Sequence, residues 1–79
     1  MEEKIIKAIK NVLWLDHASD IKLSSKLKDD LDFDSLDFVE ITMRLEEDFD
    51  ISIPDEIAGR WCEVLDIVNT VKILMQPSF

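Results

Sequence analysis

The chain has 79 residues, of which 47% are hydrophobic and 34% charged, and its formal net charge at pH 7 is −9. This length allows one domain with a modest core, and the composition is that of a globular protein. With one glycine, two prolines and no tyrosine, the composition favours helices over a sheet. The longest unbroken apolar run covers only residues 12–15, so the sequence predicts no membrane-spanning helix. The start "MEEKIIKAIK" interleaves charged with apolar residues, so no secretory signal is predicted either.

The acidity is confined to the middle of the chain. Residues 28–56 contain twelve acidic and two basic residues, a net charge of −10, whereas the remainder carries +1. Such a segment repels nucleic acid and anionic membranes and attracts basic proteins. We therefore expect no nucleic acid partner and no membrane insertion, although a solvated face that only keeps the domain soluble is the simpler alternative.

The first half of the chain predicts one helix and a long loop. Residues 2–15 have apolar side chains at helical spacing from Ile5 to Leu13, with acidic residues before basic ones. Residues 16–33 show no sustained periodicity, and a loop this long in a small domain tends to be functional. Four apolar side chains are expected to pin the loop to the core: Ile21, Leu23, Leu27 and Leu31.

The second half predicts three more helices. Residues 35–49 form the best-defined one, and "ISIPDE" then breaks the pattern, with Pro54 suited to the first turn of a short third helix that Gly59 limits. A last helix covers about 63–75. The predicted fold class is all-α, a four-helix bundle with three main helices, a short third helix and a long loop between helices one and two.

The stretch "DLDFDSLDF" at residues 30–38 invites interpretation as a calcium loop, because it contains three aspartates at alternate positions. Two requirements of such a loop fail. Ser35 stands where the loop needs a glycine for its sharp turn, and Ile41 stands where it needs a bidentate glutamate. A dedicated calcium site is therefore not predicted.

The same stretch satisfies the pattern of a helix start. Asp34 suits the N-cap position, and Asp37 follows at N3, where a capping box usually has Glu or Gln. Phe33 and Phe38 occupy the N′ and N4 positions that form a hydrophobic staple. Ser35 then becomes the first helical residue, with its hydroxyl free to face solvent.

A catalytic role for that serine is poorly supported. A nucleophilic serine needs a base, and the only histidine, His17, lies in another segment. One histidine and one cysteine do not make a tetrahedral metal site. We expect Cys62 to be a small, partly buried residue, and Trp14 and Trp61 to anchor the core.

The second helix has two apolar faces. The core stripe is expected to contain Phe38, Ile41, Thr42, Leu45 and Phe49. Three apolar residues fall on the opposite side among acidic ones, which is the composition of a docking surface: Leu36, Val39 and Met43, with Glu40 and Glu47. The alternative is that one or more of the three packs beneath a loop.

The segment "DSLD" (34–37), continued by "VEITMRLEEDFDISIPDE" (39–56), resembles the acyl carrier protein family. With the first helix and the pinned loop, the resemblance covers nearly the whole chain. It implies a non-catalytic carrier with a 4′-phosphopantetheine arm on Ser35, attached by a phosphopantetheinyl transferase that uses coenzyme A. It also implies that Asp34 helps the transferase to position a magnesium ion.

The resemblance further implies partners and setting. Six positions match those where family members meet basic grooves on acyl-loading and acyl-processing enzymes: Leu36, Asp37, Val39, Glu40, Met43 and Glu47. We expect a free-standing, monomeric carrier domain over residues 1–79, located in the cytoplasm.

Three residues depart from the family pattern. Asp32 replaces a usual glycine, Phe38 is bulky beside the expected acyl pocket, and Arg44 is a cation on an acidic helix. The first could change the local turn, and the second predicts a reduced pocket that holds long chains poorly. Together they favour a specialised carrier over a general one.

The pathway stays open at this point, between fatty acid, polyketide and related specialised lipid biosynthesis. An aminoacyl or peptidyl carrier is a close alternative. An unmodified acidic interaction module is the alternative from another class, and an enzyme ranks behind both.

Overall fold

The computed structural model describes residues 2–13 and 21–75, which contain four helices. These are α1 (Glu2–Val12), α2 (Ser35–Phe49), α3 (Asp55–Ala58) and α4 (Val64–Met75). The predicted all-α bundle, with three main helices and a short third one, is confirmed. In this part of the chain no helix is long and apolar enough to cross a membrane.

The predicted boundaries hold best for α2, which begins and ends at the predicted residues. α1 ends at Val12 and Leu13 forms a turn, so this helix is shorter than predicted, while the remainder of its predicted range lies outside the described residues. Pro54 is the N-cap of α3 and not part of its first turn. Its extended backbone, with ψ 141°, lets its carbonyl accept hydrogen bonds from Ile57 and Ala58.

The core lies where α1, α2 and α4 pack against one another. Its fully buried side chains are aliphatic: Ile5, Ile9, Leu27, Ile41, Leu45, Val64, Ile67, Val68 and Val71. Removing each such side chain from water stabilises the fold by about 1.5–3 kcal/mol before the entropy of ordering it is subtracted. The predicted core stripe of α2 is confirmed, with Phe38 and Phe49 partly buried at its two ends.

The connection between α1 and α2 is anchored as predicted. Ile21 and Leu27 are buried, and Leu23 and Leu31 are partly buried against the core. Of the predicted loop, residues 16–20 lie outside the described residues, and so do Trp14 and His17.

Backbone hydrogen bonds tie this loop to the start of α4. The N–H of Leu27 donates to the carbonyl of Cys62 (2.9 Å), and the N–H of Val64 donates to the carbonyl of Ser25 (3.1 Å). The N–H of Leu65 donates to Leu23 in the same way (2.9 Å). Helix starts leave their first N–H groups without intrahelical acceptors, so the loop both supplies acceptors to α4 and is held by it.

The segment between α3 and α4 corrects one expectation. Trp61 is buried, as predicted, and its indole N–H donates to the hydroxyl of Thr70 (2.9 Å). Cys62 is exposed, contrary to the prediction. Its backbone N–H donates to Asp66 (2.8 Å) and its carbonyl accepts from Leu27, and with Trp61 buried before it, the thiol faces outward.

Candidate functional site

α2 begins with a complete capping box. The N–H of Asp37 donates to Oδ1 of Asp34 (2.9 Å), and the N–H of Asp34 donates to Oδ2 of Asp37 (3.0 Å). Asp37 stands at N3, where Glu or Gln is usual, and its shorter side chain still reaches the N–H of Asp34. Such a cap typically stabilises a helix by about 1 kcal/mol, so the start of α2 is well fixed.

Two aromatic rings brace the same turn. Phe33, which is buried, and Phe38, which is half-buried, meet with ring centroids 5.2 Å apart and planes at 66°, an edge-to-face contact. These are the predicted N′ and N4 positions of a hydrophobic staple. The predicted helix start is therefore confirmed in its cap and in its staple.

Ser35 is exposed at the first position of this helix. A helix start leaves four N–H groups without partners inside the helix, and the capping box uses those of Asp34 and Asp37. The N–H groups of Ser35 and Leu36 remain, at the positive end of the helix dipole. This is an environment that favours an anion over a neutral group.

Asp32, at the position where the family usually has glycine, has φ 56°. This is the left-handed region that glycine enters readily and that aspartate tolerates better than most residues. The next residue, Phe33, donates its N–H to the carbonyl of Leu27 (2.9 Å) and closes the turn. In this structure, the turn before α2 thus keeps a glycine-like backbone in spite of the substitution.

A groove of about 590 Å³ runs from Ser35 between α2 and α3. Its apolar part is lined by Phe33, Phe38, Val39, Met43, Ala58 and Gly59. Its polar part is lined by Lys28, Asp34, Ser35, Thr42, Glu46 and Asp55. The groove therefore brings four predicted site residues together: Asp34, Ser35, Val39 and Met43.

The sequence reasoning missed Lys28, Glu46 and Asp55 as groove residues. Glu46 has a second task, because its Oε2 accepts the N–H of Ile53 (2.8 Å) and holds the turn after α2. Asp55 follows Pro54 at the start of α3. Lys28 lies in a loop without periodicity, so no sequence signal pointed to its position.

The outer face of α2 carries the predicted apolar surface. Leu36, Val39 and Met43 are 62%, 54% and 62% exposed. Glu40 and Glu47 are exposed beside them, while Asp37 is half-buried because it takes part in the capping box. We call this set of six residues the α2 outer face.

Arg44 places a positive charge on the acidic helix α2, where it pairs with a neighbouring carboxylate. Its Nε lies 3.4 Å from Oδ2 of Asp48, one turn further along the helix. Both side chains are more than two-fifths exposed, so the pair adds little to stability.

Two of the three aspartates at alternate positions in the stretch that resembles a calcium loop accept hydrogen bonds from backbone N–H groups. Oδ2 of Asp30 accepts the N–H of Lys26 (2.7 Å), and the carboxylate of Asp34 caps α2. Across residues 2–13 and 21–75, no three side chains of metal-binding type come together.

Comparisons with known proteins agree with this geometry. Residues 3–59 match the family described as "Phosphopantetheine attachment site". An acyl carrier protein from Clostridium acetobutylicum is 49% identical over 70 residues, which cover 89% of this chain and 90% of that protein. Another, from Campylobacter lari, is 45% identical over 56 residues, covering 71% of this chain and 73% of that protein.

A solved structure from Mycobacterium tuberculosis, assigned as an acyl carrier protein, shares the fold with a TM-score of 0.84 and 35% identity. The match covers 91% of this chain and 95% of that one. Carriers of this kind bear covalently attached 4′-phosphopantetheine and interact with phosphopantetheinyl transferases and acyl-handling enzymes. The chain therefore belongs to the acyl carrier protein family and is a non-catalytic carrier.

Proposed function

We propose that the 4′-phosphopantetheine arm is attached to the hydroxyl of Ser35. The observation that carries this proposal is the position of Ser35, exposed at the first residue of α2 and in the lining of the groove. An incoming enzyme needs an accessible hydroxyl, and the phosphodiester it leaves is favoured at a helix N-terminus. When attached, the group supplies a thiol that holds acyl groups as thioesters.

Other hydroxyl groups near the site are less suitable. Thr42 also lines the groove, but it is 7% exposed and its hydroxyl donates to the carbonyl of Phe38 (2.7 Å). Modification there would break this hydrogen bond and force the arm through packed side chains. The contrast with Ser35 supports a single attachment site in this region.

We assign Asp34 a supporting role in that modification. One of its carboxylate oxygens accepts the N–H of Asp37, and the side chain also lines the groove beside Ser35. The second oxygen is able to coordinate a magnesium ion that a transferase brings, because a carboxylate has several acceptor positions. The ion would be held between carrier and transferase.

We propose that the α2 outer face docks the transferase and the acyl-handling enzymes. Its three apolar side chains are more than half exposed, and Asp37, Glu40 and Glu47 surround them with negative charge. Opposite charge on a partner steers the encounter, while a small apolar contact allows rapid release. This combination suits a carrier that visits several enzymes in turn.

We propose a specialised carrier within fatty acid, polyketide or related lipid biosynthesis. The motivation is Phe38, a bulky side chain that lines the groove and meets Phe33 in an edge-to-face contact. We also propose that residues 1–79 form a single monomeric domain and that the protein is located in the cytoplasm.

The attachment is tested by intact mass spectrometry after incubation with coenzyme A and a broad-specificity phosphopantetheinyl transferase. The wild-type protein is expected to gain one phosphopantetheine, and Ser35→Ala to gain none. Ser24→Ala removes another exposed serine and is the matched control, which should be loaded like the wild type. Full loading of Ser35→Ala would contradict the proposed attachment.

A further inference from the structure

Lys28 brings a positive charge to the lining of the groove. It lines the groove together with Ser35. Residues 28–56 contain only one other base, Arg44, and that side chain is paired with Asp48. Among the described residues, Lys28 has no carboxylate within ion-pair distance. Its charge is therefore available to a ligand at this position.

The fold fixes where Lys28 lies. The preceding residue, Leu27, is fully buried, and its carbonyl accepts the N–H of Phe33 (2.9 Å). The carbonyl of Lys26 accepts the N–H of Leu31 (3.0 Å) and so closes the same turn. These bonds bring the backbone beside Lys28 next to the segment that leads into Ser35.

Two of the nearby aspartates are engaged with backbone donors, while Asp55, which also lines the groove, adds further negative charge there. The side chain of Asp30 accepts the N–H of Lys26, and that of Asp34 accepts the N–H of Asp37. A phosphodiester on Ser35 would still be repelled by the charge of Asp34. A cation in the groove lining offsets this repulsion, together with the two N–H groups that the capping box leaves open.

We propose that Lys28 binds the phosphodiester of the arm and so positions the base of the arm in the groove. A lysine suits this task because its compact charge and three donors adapt to a phosphate approached from several directions. The inference rests on the proposed attachment at Ser35. It makes Lys28 a positioning residue for the prosthetic group.

The experiment compares the melting temperatures of the unloaded and the loaded protein at low salt. The variants are Lys28→Gln, Lys28→Arg and, as the matched control on an exposed lysine of the same loop, Lys22→Gln. Any effect of Lys28 on the unloaded fold cancels when loaded and unloaded forms of one variant are compared. Loading uses coenzyme A and a broad-specificity transferase, and each adduct is confirmed by mass.

Loading should raise the melting temperature less in Lys28→Gln than in the wild type, by about 1–4 °C. Lys28→Arg keeps the charge and should respond as the wild type does, and so should Lys22→Gln. Equal responses of Lys28→Gln and the wild type would overturn the role of Lys28.

A second measurement needs no variant. In the wild-type protein, NMR signals of the lysine ε-methylene groups are compared before and after loading. The signal of Lys28 should move and that of Lys22 should stay, because Lys28 lines the groove with Ser35 and Lys22 does not. If neither moves, Lys28 does not bind the phosphodiester. A chain that accepts no adduct at all would overturn both the attachment and this inference.

Discussion

Two aspartates adopt a backbone conformation that most residues avoid. Asp32 precedes the proposed modification site with φ 56°, and Asp50 ends α2 with φ 53°. The left-handed region costs an ordinary L-residue about 1–2 kcal/mol, and less for aspartate. The backbone of each residue is therefore strained, and a substitution that relieves or increases this strain should change the free energy of unfolding.

Asp32→Gly is expected to leave the free energy of unfolding unchanged or slightly higher, whereas Asp32→Ala should lower it by about 1 kcal/mol. Glycine removes the strain but gains entropy in the unfolded chain, whereas alanine keeps the strain and lacks the short polar side chain that makes this conformation less costly for aspartate. Urea denaturation of the three proteins measures the difference. If alanine proves as stable as glycine, the turn does not need the left-handed conformation.

Asp50→Gly should raise the free energy of unfolding by about 1 kcal/mol, equivalent to roughly 4–8 °C in melting temperature. The N–H of Asp50 donates to the carbonyl of Glu46, which glycine preserves, while the substitution removes a negative charge from the negative end of α2. Thermal unfolding followed by circular dichroism measures the change. A lower melting temperature would show that the side chain of Asp50 stabilises the cap.

At the level of the helices, the α2 outer face has a direct test. Met43→Glu should lower kcat/KM for loading by a broad-specificity transferase at least tenfold. In the proposed complex, the substitution would place a charge where Met43 makes an apolar contact with the transferase. The fold should tolerate the change, since Met43 is 62% exposed.

The matched control is Ile73→Glu on α4, a residue that is 66% exposed. It introduces the same charge at a similar exposure but away from α2, so its loading rate should stay near that of the wild type. Equal losses in the two variants would mean that added negative charge, and not the α2 outer face, limits loading.

The helices differ in how well the sequence predicts them. α2 was predictable at both ends because its signals agree: Asp34 as cap with Phe33 and Phe38 as staple at the start, an apolar stripe with period 3.6, and the break at "ISIPDE" after the end. The loop before it was predictable only in its anchors. The groove position of Lys28 depends on hydrogen bonds between residues five and six apart, such as Phe33 to Leu27, which carry no periodic signal.

For the molecule as a whole, the uneven charge predicts salt-dependent encounters with partners. Residues 28–56 carry a net charge of −10 and the rest of the chain carries +1, which together give the formal net charge of −9. The loading rate at low carrier concentration should therefore fall about tenfold between low and physiological ionic strength, as expected for steered association.

Replacing two acids of the α2 outer face, as in the double variant Glu40→Gln with Glu47→Gln, should flatten this salt dependence. Glu3→Gln removes an exposed acid from α1 and is the control, which should leave the salt dependence of the loading rate unchanged. A rate that does not respond to salt in the wild type would rule out charge steering through this segment.

The central claim, that the arm is attached at Ser35, is tested most directly by locating the adduct within the chain. Trypsin cleaves after Lys28 and Arg44 and releases the peptide 29–44, whose only hydroxyl-bearing side chains are Ser35 and Thr42. Fragmentation of this peptide from the loaded protein should place the phosphopantetheine on Ser35. An adduct on Thr42, or on any peptide other than 29–44, would contradict the account.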